Sequence, residues 1–164
     1  MNIIFTITGG IGKCIAGTAV AEAIKKQYPD SKLIVISPHP NIFKNNPFVD
    51  KVEQIHGFLN AAYELYCKDK EYKVFTVDPF HHNDFITNTG HLIPTWCKAN
   101  SIKYNGELPQ IFLSEAEQDY YGNYYNFDNL AKPIMAIQVN GGNPDPRIQP
   151  GYNWARDLPL EIVK

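Results

Sequence analysis

The residues best suited to acid–base chemistry follow one another in a short stretch near the middle of the chain. Asp78 directly follows an apolar run, and His81, His82 and Asp84 come soon after it. Ligands of open α/β sheets bind beyond the carboxyl ends of the strands, so an aspartate that closes a strand is well placed to meet a substrate. Histidine titrates near neutral pH and can take a proton from a hydroxyl group. Asp78, His81 and His82 are therefore candidate catalytic residues, with a plain polar loop as the alternative.

The same stretch also raises the question of a metal. The spacing His-His-x-Asp places three potential ligands in one loop. Three ligands within a single loop do not form a recognised metal-binding pattern, since structural and catalytic sites usually draw ligands from separated positions. We therefore predict no metal site.

A glycine turn near the N-terminus offers a second kind of chemistry, the binding of an anion. Gly9-Gly10-Ile11-Gly12-Lys13 lies between a predicted buried strand and a predicted helix. Glycine lets backbone N–H groups approach a ligand closely, and the N-terminus of a helix favours negative charge. Gly9, Gly10, Gly12 and Lys13 are therefore candidate ligand-binding residues. The alternative is that these glycines only permit a tight connection from strand to helix.

Two well-known glycine motifs do not fit this turn. The P-loop motif G-x-x-x-x-G-K-[ST] would require glycine at Ile7 and a hydroxyl residue at Cys14. The dinucleotide motif G-x-G-x-x-G would require glycine at Ile15 and an acidic residue after the second strand, which instead ends in Ser37-Pro38. The turn therefore matches neither standard nucleotide-binding motif.

Strand and helix patterns alternate along the chain. Apolar runs at 3–8, 32–37, 52–55 and 74–77 predict strands. A helix over 13–27 is predicted between the first two, and its apolar face consists of Ala16, Ala19, Val20, Ala23 and Ile24. Such alternation is typical of a mainly parallel sheet. The predicted fold class is therefore α/β, with a Rossmann-like, doubly wound sheet.

Further helices are predicted downstream of the second strand. One covers 58–68, with Leu59, Ala62, Tyr63 and Tyr66 at helical spacing. Another lies within 82–100, points Ile93, Trp96 and Cys97 inward, and is broken or kinked at Pro94. A third begins after Ser114, because Glu117 stands three residues later and the two form a capping box.

The composition is that of a globular chain of ordinary domain size. Of its 164 residues, 44% are hydrophobic and 20% are charged. A formal net charge of −2 argues against binding nucleic acid by neutralising phosphates. No apolar run reaches the roughly 20 residues that span a bilayer. The three cysteines contain no C-x-x-C pair, which fits a reducing compartment. We therefore expect a cytoplasmic protein without a nucleic-acid partner.

The end of the sequence is unusual. A buried strand is predicted over 134–139, and it is followed by Asn140-Gly141-Gly142 and a loop rich in proline and asparagine. Asp157 then has the character of a helix N-cap, and the chain stops within the first turns of that helix. We therefore expect the chain to be truncated or to be a fragment.

Four elements, taken in order, resemble a known family. They are the opening strand with its glycine turn, the helix end at 23–30, the second strand, and the segment NNPFVDKV at 45–52. Together they resemble the N-terminal domain of ADP-heptose:lipopolysaccharide heptosyltransferases and related glycosyltransferases. The middle of the chain matches only as alternating elements, and residues 134–164 resemble the opening of the family's second domain.

The resemblance implies the GT-B architecture, in which two Rossmann-like domains face each other across a cleft. The chain would then comprise an acceptor-side domain, residues 1–132, and the opening of a donor-side domain, residues 133–164. The residues that would lie near the donor diphosphate are Asn140, Gly141, Gly142 and Arg156. An arginine there can make a forked contact with phosphate oxygens, and a solvated surface position is the alternative.

The implied reaction transfers a sugar from a nucleotide-sugar donor to an acceptor hydroxyl, as in lipopolysaccharide biosynthesis. The nucleotide sugar is a substrate, so no cofactor is expected. The acceptor would be a glycan or a lipid-linked sugar, which is compatible with peripheral association with a membrane. A chain that lacks nearly all of the donor domain is expected to be inactive alone.

One position departs from the family pattern. The family usually places an aspartate, a candidate general base, immediately after the glycine turn, where this chain has Lys13. A protonated lysine cannot accept a proton, and beside a helix N-terminus it would attract a phosphate or a carboxylate. Either the base lies elsewhere, with Asp78, His81 and His82 as the candidates, or the substrate differs, or catalysis is lost. The alternative function is a non-catalytic module of the same fold that binds an anion or a sugar.

Overall fold

The computed structural model describes residues 1–55 and 59–125. The backbone of Met1–Asp119 forms one compact unit, and a second begins at Tyr120. The domain boundary expected between residues 132 and 133 lies outside the described residues and stays a prediction. The elements described below belong to the first unit, except that the last helix, Glu115–Tyr125, continues past Asp119.

Four parallel strands form the sheet of this unit. They are β1 (Asn2–Thr6), β2 (Lys32–Ser37), β3 (Lys51–Gln54) and β4 (Tyr72–Phe75). Their order is β3-β2-β1-β4, and every neighbouring pair is parallel. The predicted α/β class and parallel sheet are confirmed.

The strand order fixes where a ligand can enter. The chain first adds strands on one side of β1 and then crosses to add β4 on the other side. In register, Phe5 of β1 lies opposite Val35 of β2 on one side and opposite Phe75 of β4 on the other. The strand order therefore reverses between β1 and β4, which makes their shared carboxyl edge a topological switch point, and open α/β sheets bind ligands at such an edge.

Helix α1 (Ile11–Gln27) covers one face of the sheet. The apolar face predicted from the sequence is buried in full: Ala16, Ala19, Val20, Ala23 and Ile24. The helix begins two residues earlier than predicted, because Gly10 is its extended N-cap and its carbonyl oxygen accepts from the N–H groups of Lys13 and Cys14. Gly12 therefore lies in the first helical turn.

The sheet is covered on both faces, as the doubly wound prediction requires. On the first face, α1 and α4 (Leu92–Ala99) pack on Ile3 and Phe5, and the rings of Phe5 and Trp96 lie 5.4 Å apart. On the second face, Ile4 packs against the segment that contains Tyr66. The predicted inward residues of α4 are buried: Ile93, Trp96 and Cys97.

The helix predicted over 58–68 is interrupted. A single turn, α2 (Leu59–Ala62), leads directly into a π-helical turn, Tyr63–Cys67, closed by the N–H of Lys68 donating to the carbonyl of Tyr63. The wider turn rotates the side chains that follow it. Tyr66 and Cys67 therefore both reach the second face of the sheet, while Tyr63 is exposed instead of facing inward.

Two helices replace the single kinked helix that was predicted within 82–100. They are α3 (Asn83–Ile86) and α4, and Asn88 between them has a φ of +54°. Pro94 is the third residue of α4, where its missing N–H has no partner within the helix in any case. Pro94 therefore lies in the first turn of α4 and does not break or kink a helix.

Helix α5 (Glu115–Tyr125) begins where the sequence predicts. The Ser114 hydroxyl accepts from the N–H of Glu117 at 3.3 Å, and the Glu117 carboxylate accepts from the N–H of Ser114 at 2.8 Å. The capping box is confirmed. Among the helices of the described ranges, none is long and apolar enough to cross a bilayer.

Two glycines of α1 should respond oppositely to alanine. At Gly12 an added Cβ meets nothing within 4 Å, so Gly12→Ala should raise the free energy of unfolding by about 0.5–1 kcal/mol through helix propensity. At Gly17 the Cβ would lie 2.7 Å from Cδ1 of fully buried Ile7, so Gly17→Ala should destabilise the fold, since overpacking costs about 1–3 kcal/mol. Urea denaturation of both variants measures the difference, and equal responses would contradict the packing described.

Candidate active site at the carboxyl edge of the sheet

The predicted aspartate and the glycine turn meet at the switch point. Gly9 follows β1 and Asp78 follows β4, and these neighbouring parallel strands end at the same edge of the sheet. Gly9 has a φ of +96°, a conformation that side-chain-bearing residues rarely adopt, and an added Cβ would lie 3.3 Å from Cδ of Lys13. The turn thus brings Lys13, in the first turn of α1, toward β4.

A buried ion pair links the two loops. Lys13 Nζ lies 2.5 Å from Asp78 Oδ2, and the two side chains are 6% and 23% exposed. The second oxygen, Oδ1, accepts from the backbone N–H of Phe80 at 3.0 Å, so Asp78 caps the 3-10 turn Pro79–His81. The Thr8 hydroxyl donates to Oδ2 at 3.4 Å. Both carboxylate oxygens are therefore held in place, one from each side of the switch point.

Two aromatic rings complete the surroundings of the lysine. Its ammonium lies 4.9 Å from the ring centroid of Phe80 and 5.4 Å from that of Trp96. Cation–π contacts of this kind stabilise a desolvated cation. The carboxylate that the sequence led us to expect beside Lys13 comes from the chain itself, namely from Asp78.

The pKa of Asp78 is lower than that of an ordinary aspartate. Burial acts to raise it, but the hydrogen bonds from Lys13 and Phe80, with the positive charges of Lys13 and His81, outweigh burial. Asp78 is therefore a carboxylate at neutral pH, able to accept a hydrogen bond or a proton.

The two candidate histidines occupy different surroundings. His81 is exposed, and its charge helps to lower the pKa of Asp78. His82 is half-buried and caps α3, since its Nδ1 accepts from the N–H of Asp84 at 3.2 Å. The Asp84 carboxylate in turn binds Lys98 Nζ at 2.6 Å. His81 thus lies near the carboxylate of Asp78, whereas one ring nitrogen of His82 caps α3.

The glycine turn leaves open space in front of α1. Gly10 and Gly12 are exposed, and a Cβ at either would meet nothing within 4 Å. The first turn of α1 carries no acidic residue, and Gly10 offers no side chain to cap it. Neither packing nor a positive φ requires glycine at these two positions, so a ligand can approach the backbone there.

Three residues at the site were not singled out from the sequence as site residues: Thr8, Phe80 and Trp96. Trp96 was assigned only to the core, and nothing local distinguishes Thr8. The motif Asp-Pro-Phe-His could have drawn attention to Phe80, because a 3-10 turn capped by aspartate projects the residues that follow it.

Some predicted site residues lie beyond this description. Asn140, Gly141, Gly142 and Arg156 fall outside the described residues, and their proximity to a donor diphosphate stays a prediction. Within residues 1–55 and 59–125, no group of three or more His, Cys, Asp or Glu side chains is placed to hold a metal ion.

The coupling between Lys13 and Asp78 should be measurable. Asp78→Asn leaves a buried ammonium without its counter-ion and should cost about 3 kcal/mol of unfolding free energy. Lys13→Met leaves a carboxylate that is partly exposed and should cost less. The double variant should lose clearly less than the sum of the two single losses. Urea denaturation of the four proteins gives the coupling energy, and additive losses would show that the two residues act independently.

The same pair should appear in the pH dependence of stability. The pKa of Asp78 is lowered in the folded chain, so its pairing stabilises the fold above the unfolded value of ~3.9 and is lost as the pH falls through the folded pKa. The stability difference between wild type and Asp78→Asn should therefore be largest near pH 7 and should shrink below about pH 4. Denaturation at several pH values measures it, and a constant difference down to strong acid would contradict the assignment.

Two solved structures resemble this fold. One is that of E. coli ADP-heptose lps heptosyltransferase II, with a TM-score of 0.51 and 13% identity over 76% of this chain and 50% of that chain. The other is the crystal structure of a family 9 glycosyl transferase from Veillonella parvula DSM 2008, with a TM-score of 0.54 and 12% identity over 85% of this chain and 55% of that chain.

The sequence itself matches no protein-family model and no curated protein. The likeness to the two structures is one of fold, and the chain spans about half of their length. The resemblance that the N-terminal motifs carry is confirmed at this level, since two solved structures with a similar fold are a heptosyltransferase and a family 9 glycosyl transferase.

Proposed function

We propose that this chain is the acceptor-side part of a glycosyltransferase and that Asp78 is its general base. The observation that carries the proposal is an ionised carboxylate, held by Lys13 and Phe80, at the switch point of a glycosyltransferase-like fold. The ligand-binding edge of such a sheet is where an acceptor would be held.

In the proposed reaction an acceptor hydroxyl donates its proton to Asp78 as its oxygen attacks the anomeric carbon of the donor sugar. The bond between that carbon and the diphosphate breaks, and the nucleoside diphosphate leaves with the bonding electrons. General base assistance of this kind typically contributes 10²–10⁴-fold to the rate. The donor would be a nucleotide sugar, such as the ADP-heptose named for one of the similar structures.

Lys13 would act as a positioning residue in this scheme. Its ammonium fixes Oδ2 in position, and by lowering the pKa of Asp78 it keeps the carboxylate ionised while making it a weaker base. Gly9, Gly10 and Gly12 would let the acceptor approach the backbone in front of α1. His81, the exposed neighbour, is the second candidate for the proton, and Asn140, Gly141, Gly142 and Arg156 would serve the donor.

A non-catalytic sugar-binding or anion-binding module is the second candidate function. One observation favours it, namely that Lys13, which cannot accept a proton while it is an ammonium paired with Asp78, stands where the family that the sequence resembles usually has an aspartate. The two functions differ in turnover, because a module would bind its ligand without releasing a nucleoside diphosphate.

Turnover by the full product of the gene tests the proposal. With ADP-heptose, GDP-mannose or UDP-glucose as donor and a core oligosaccharide as acceptor, Asp78→Asn should lower kcat by about 10²–10⁴-fold, with a smaller change in the acceptor KM. Release of the nucleoside diphosphate is the readout. A product that binds the oligosaccharide without any such release would instead be the binding module.

Asp50→Asn is the matched control. Asp50 also pairs with a lysine of α1, Lys25 at 2.9 Å, but it precedes β3 and so lies at the opposite edge of the sheet. Its replacement disrupts a comparable ion pair away from the site and should leave kcat within about threefold, since only the stability of the fold is affected. Equal losses in the two variants would remove Asp78 from the catalytic step.

A further inference from the structure

Phe80 is an exposed aromatic residue that contacts the ammonium of Lys13 and still offers part of its ring to solvent. It is 43% exposed, although it lies directly beside the buried ion pair. Its backbone N–H is fixed to Asp78 Oδ1 at 3.0 Å, and Pro79 before it is buried. The backbone of Phe80 therefore has a fixed position relative to the carboxylate, and the ring extends from that position.

The ring belongs to a small aromatic platform. Phe80 and Phe85 lie 4.8 Å apart with their planes tilted by 47°. The exposed ring of Phe80 thus lies beside the carboxylate, and the site combines one charged acceptor with aromatic surface.

The ion pair beside this platform does not favour an anionic ligand. The ammonium of Lys13 is already neutralised by Asp78 at 2.5 Å and is only 6% exposed, so it has little charge to offer a phosphate. A phosphate or carboxylate in contact with the ionised Asp78 would be repelled. In the described ranges no metal-binding cluster is present that could bridge two anions.

A neutral sugar ring meets these conditions. Its hydroxyl rim can donate to a carboxylate, and its C–H face is apolar and packs on aromatic surface. We propose that Phe80 selects the acceptor, and that this acceptor is an uncharged pyranose whose C–H face lies on the Phe80–Phe85 platform while a hydroxyl donates to Asp78. This inference rests on the proposed function and names the substrate class of the same site.

Binding to the 164-residue chain tests the inference. The probes are the methyl α-glycosides of mannose, glucose, galactose and mannoheptose, with mannose 6-phosphate and inorganic phosphate as anionic counterparts. Amide chemical shifts of the ¹⁵N-labelled chain report the affinity and also show whether each variant is folded. At least one neutral glycoside should bind more tightly than either anion, with shift changes at Gly9, Lys13 and Phe80.

The variants separate aromatic stacking from mere bulk. Phe80→Ala should weaken glycoside binding about tenfold, Phe80→Leu should weaken it less, and Phe80→Trp should preserve it, because only the last retains an aromatic face. Tyr63→Ala is the matched control: Tyr63 is 53% exposed and lies in the π-helical turn on the other face of the sheet, and its loss should not change the affinity.

The outcomes distinguish this inference from the proposed function. Binding that is lost in Asp78→Asn but unchanged in Phe80→Ala would overturn the platform and leave the carboxylate in its role. Tighter binding of phosphate or mannose 6-phosphate than of every neutral glycoside would overturn the uncharged acceptor. Failure of all neutral glycosides to bind would overturn the inference as well, while the turnover measurement on Asp78→Asn would still decide the proposed function.

Discussion

The arrangement at the carboxyl edge depends on one electrostatic constraint, the burial of Lys13 at the N-terminus of α1. The positive end of the helix dipole disfavours a cation there, and burial disfavours it further. The first turn of α1 contains no acidic residue that could compensate. Asp78, in the loop after β4, supplies the compensating negative charge. Its carboxylate offsets the positive helix terminus, pairs with the buried ammonium and caps the turn Pro79–His81.

This constraint also sets the chemistry of the site. Because the ammonium of Lys13 is paired with the carboxylate of Asp78, the pair offers a fixed hydrogen-bond acceptor and carries little net charge. Phe80 and Trp96 flank the ammonium with apolar rings and keep it from water. This pairing is the reason why we propose a polar but uncharged ligand at this edge, whereas the glycine turn alone would suggest an anion.

The sequence predicts those features that are local or periodic. The face of α1, the extent of β2 and the capping box at Ser114 each follow from residues close together in the chain. The π-helical turn after α2 was missed because its cause is tertiary: Tyr66 and Cys67 both pack on the sheet. The role of Pro94 was misjudged because the range 82–100 was predicted to contain one helix, whereas a separate helix begins at Leu92.

The site was only partly predictable for the same reason. Asp78 could be chosen because it follows a predicted strand, and Lys13 because it follows the glycine turn, but their contact spans 65 positions and requires β1 and β4 to be neighbours. Strand order is a global property that no local motif encodes. The order β3-β2-β1-β4 makes β1 and β4 neighbours, so the segments that follow these strands come together and Lys13 can contact Asp78. Thr8, Lys13, Asp78, Phe80 and Trp96 all belong to the unit Met1–Asp119, so the carboxylate is positioned by contacts within that unit.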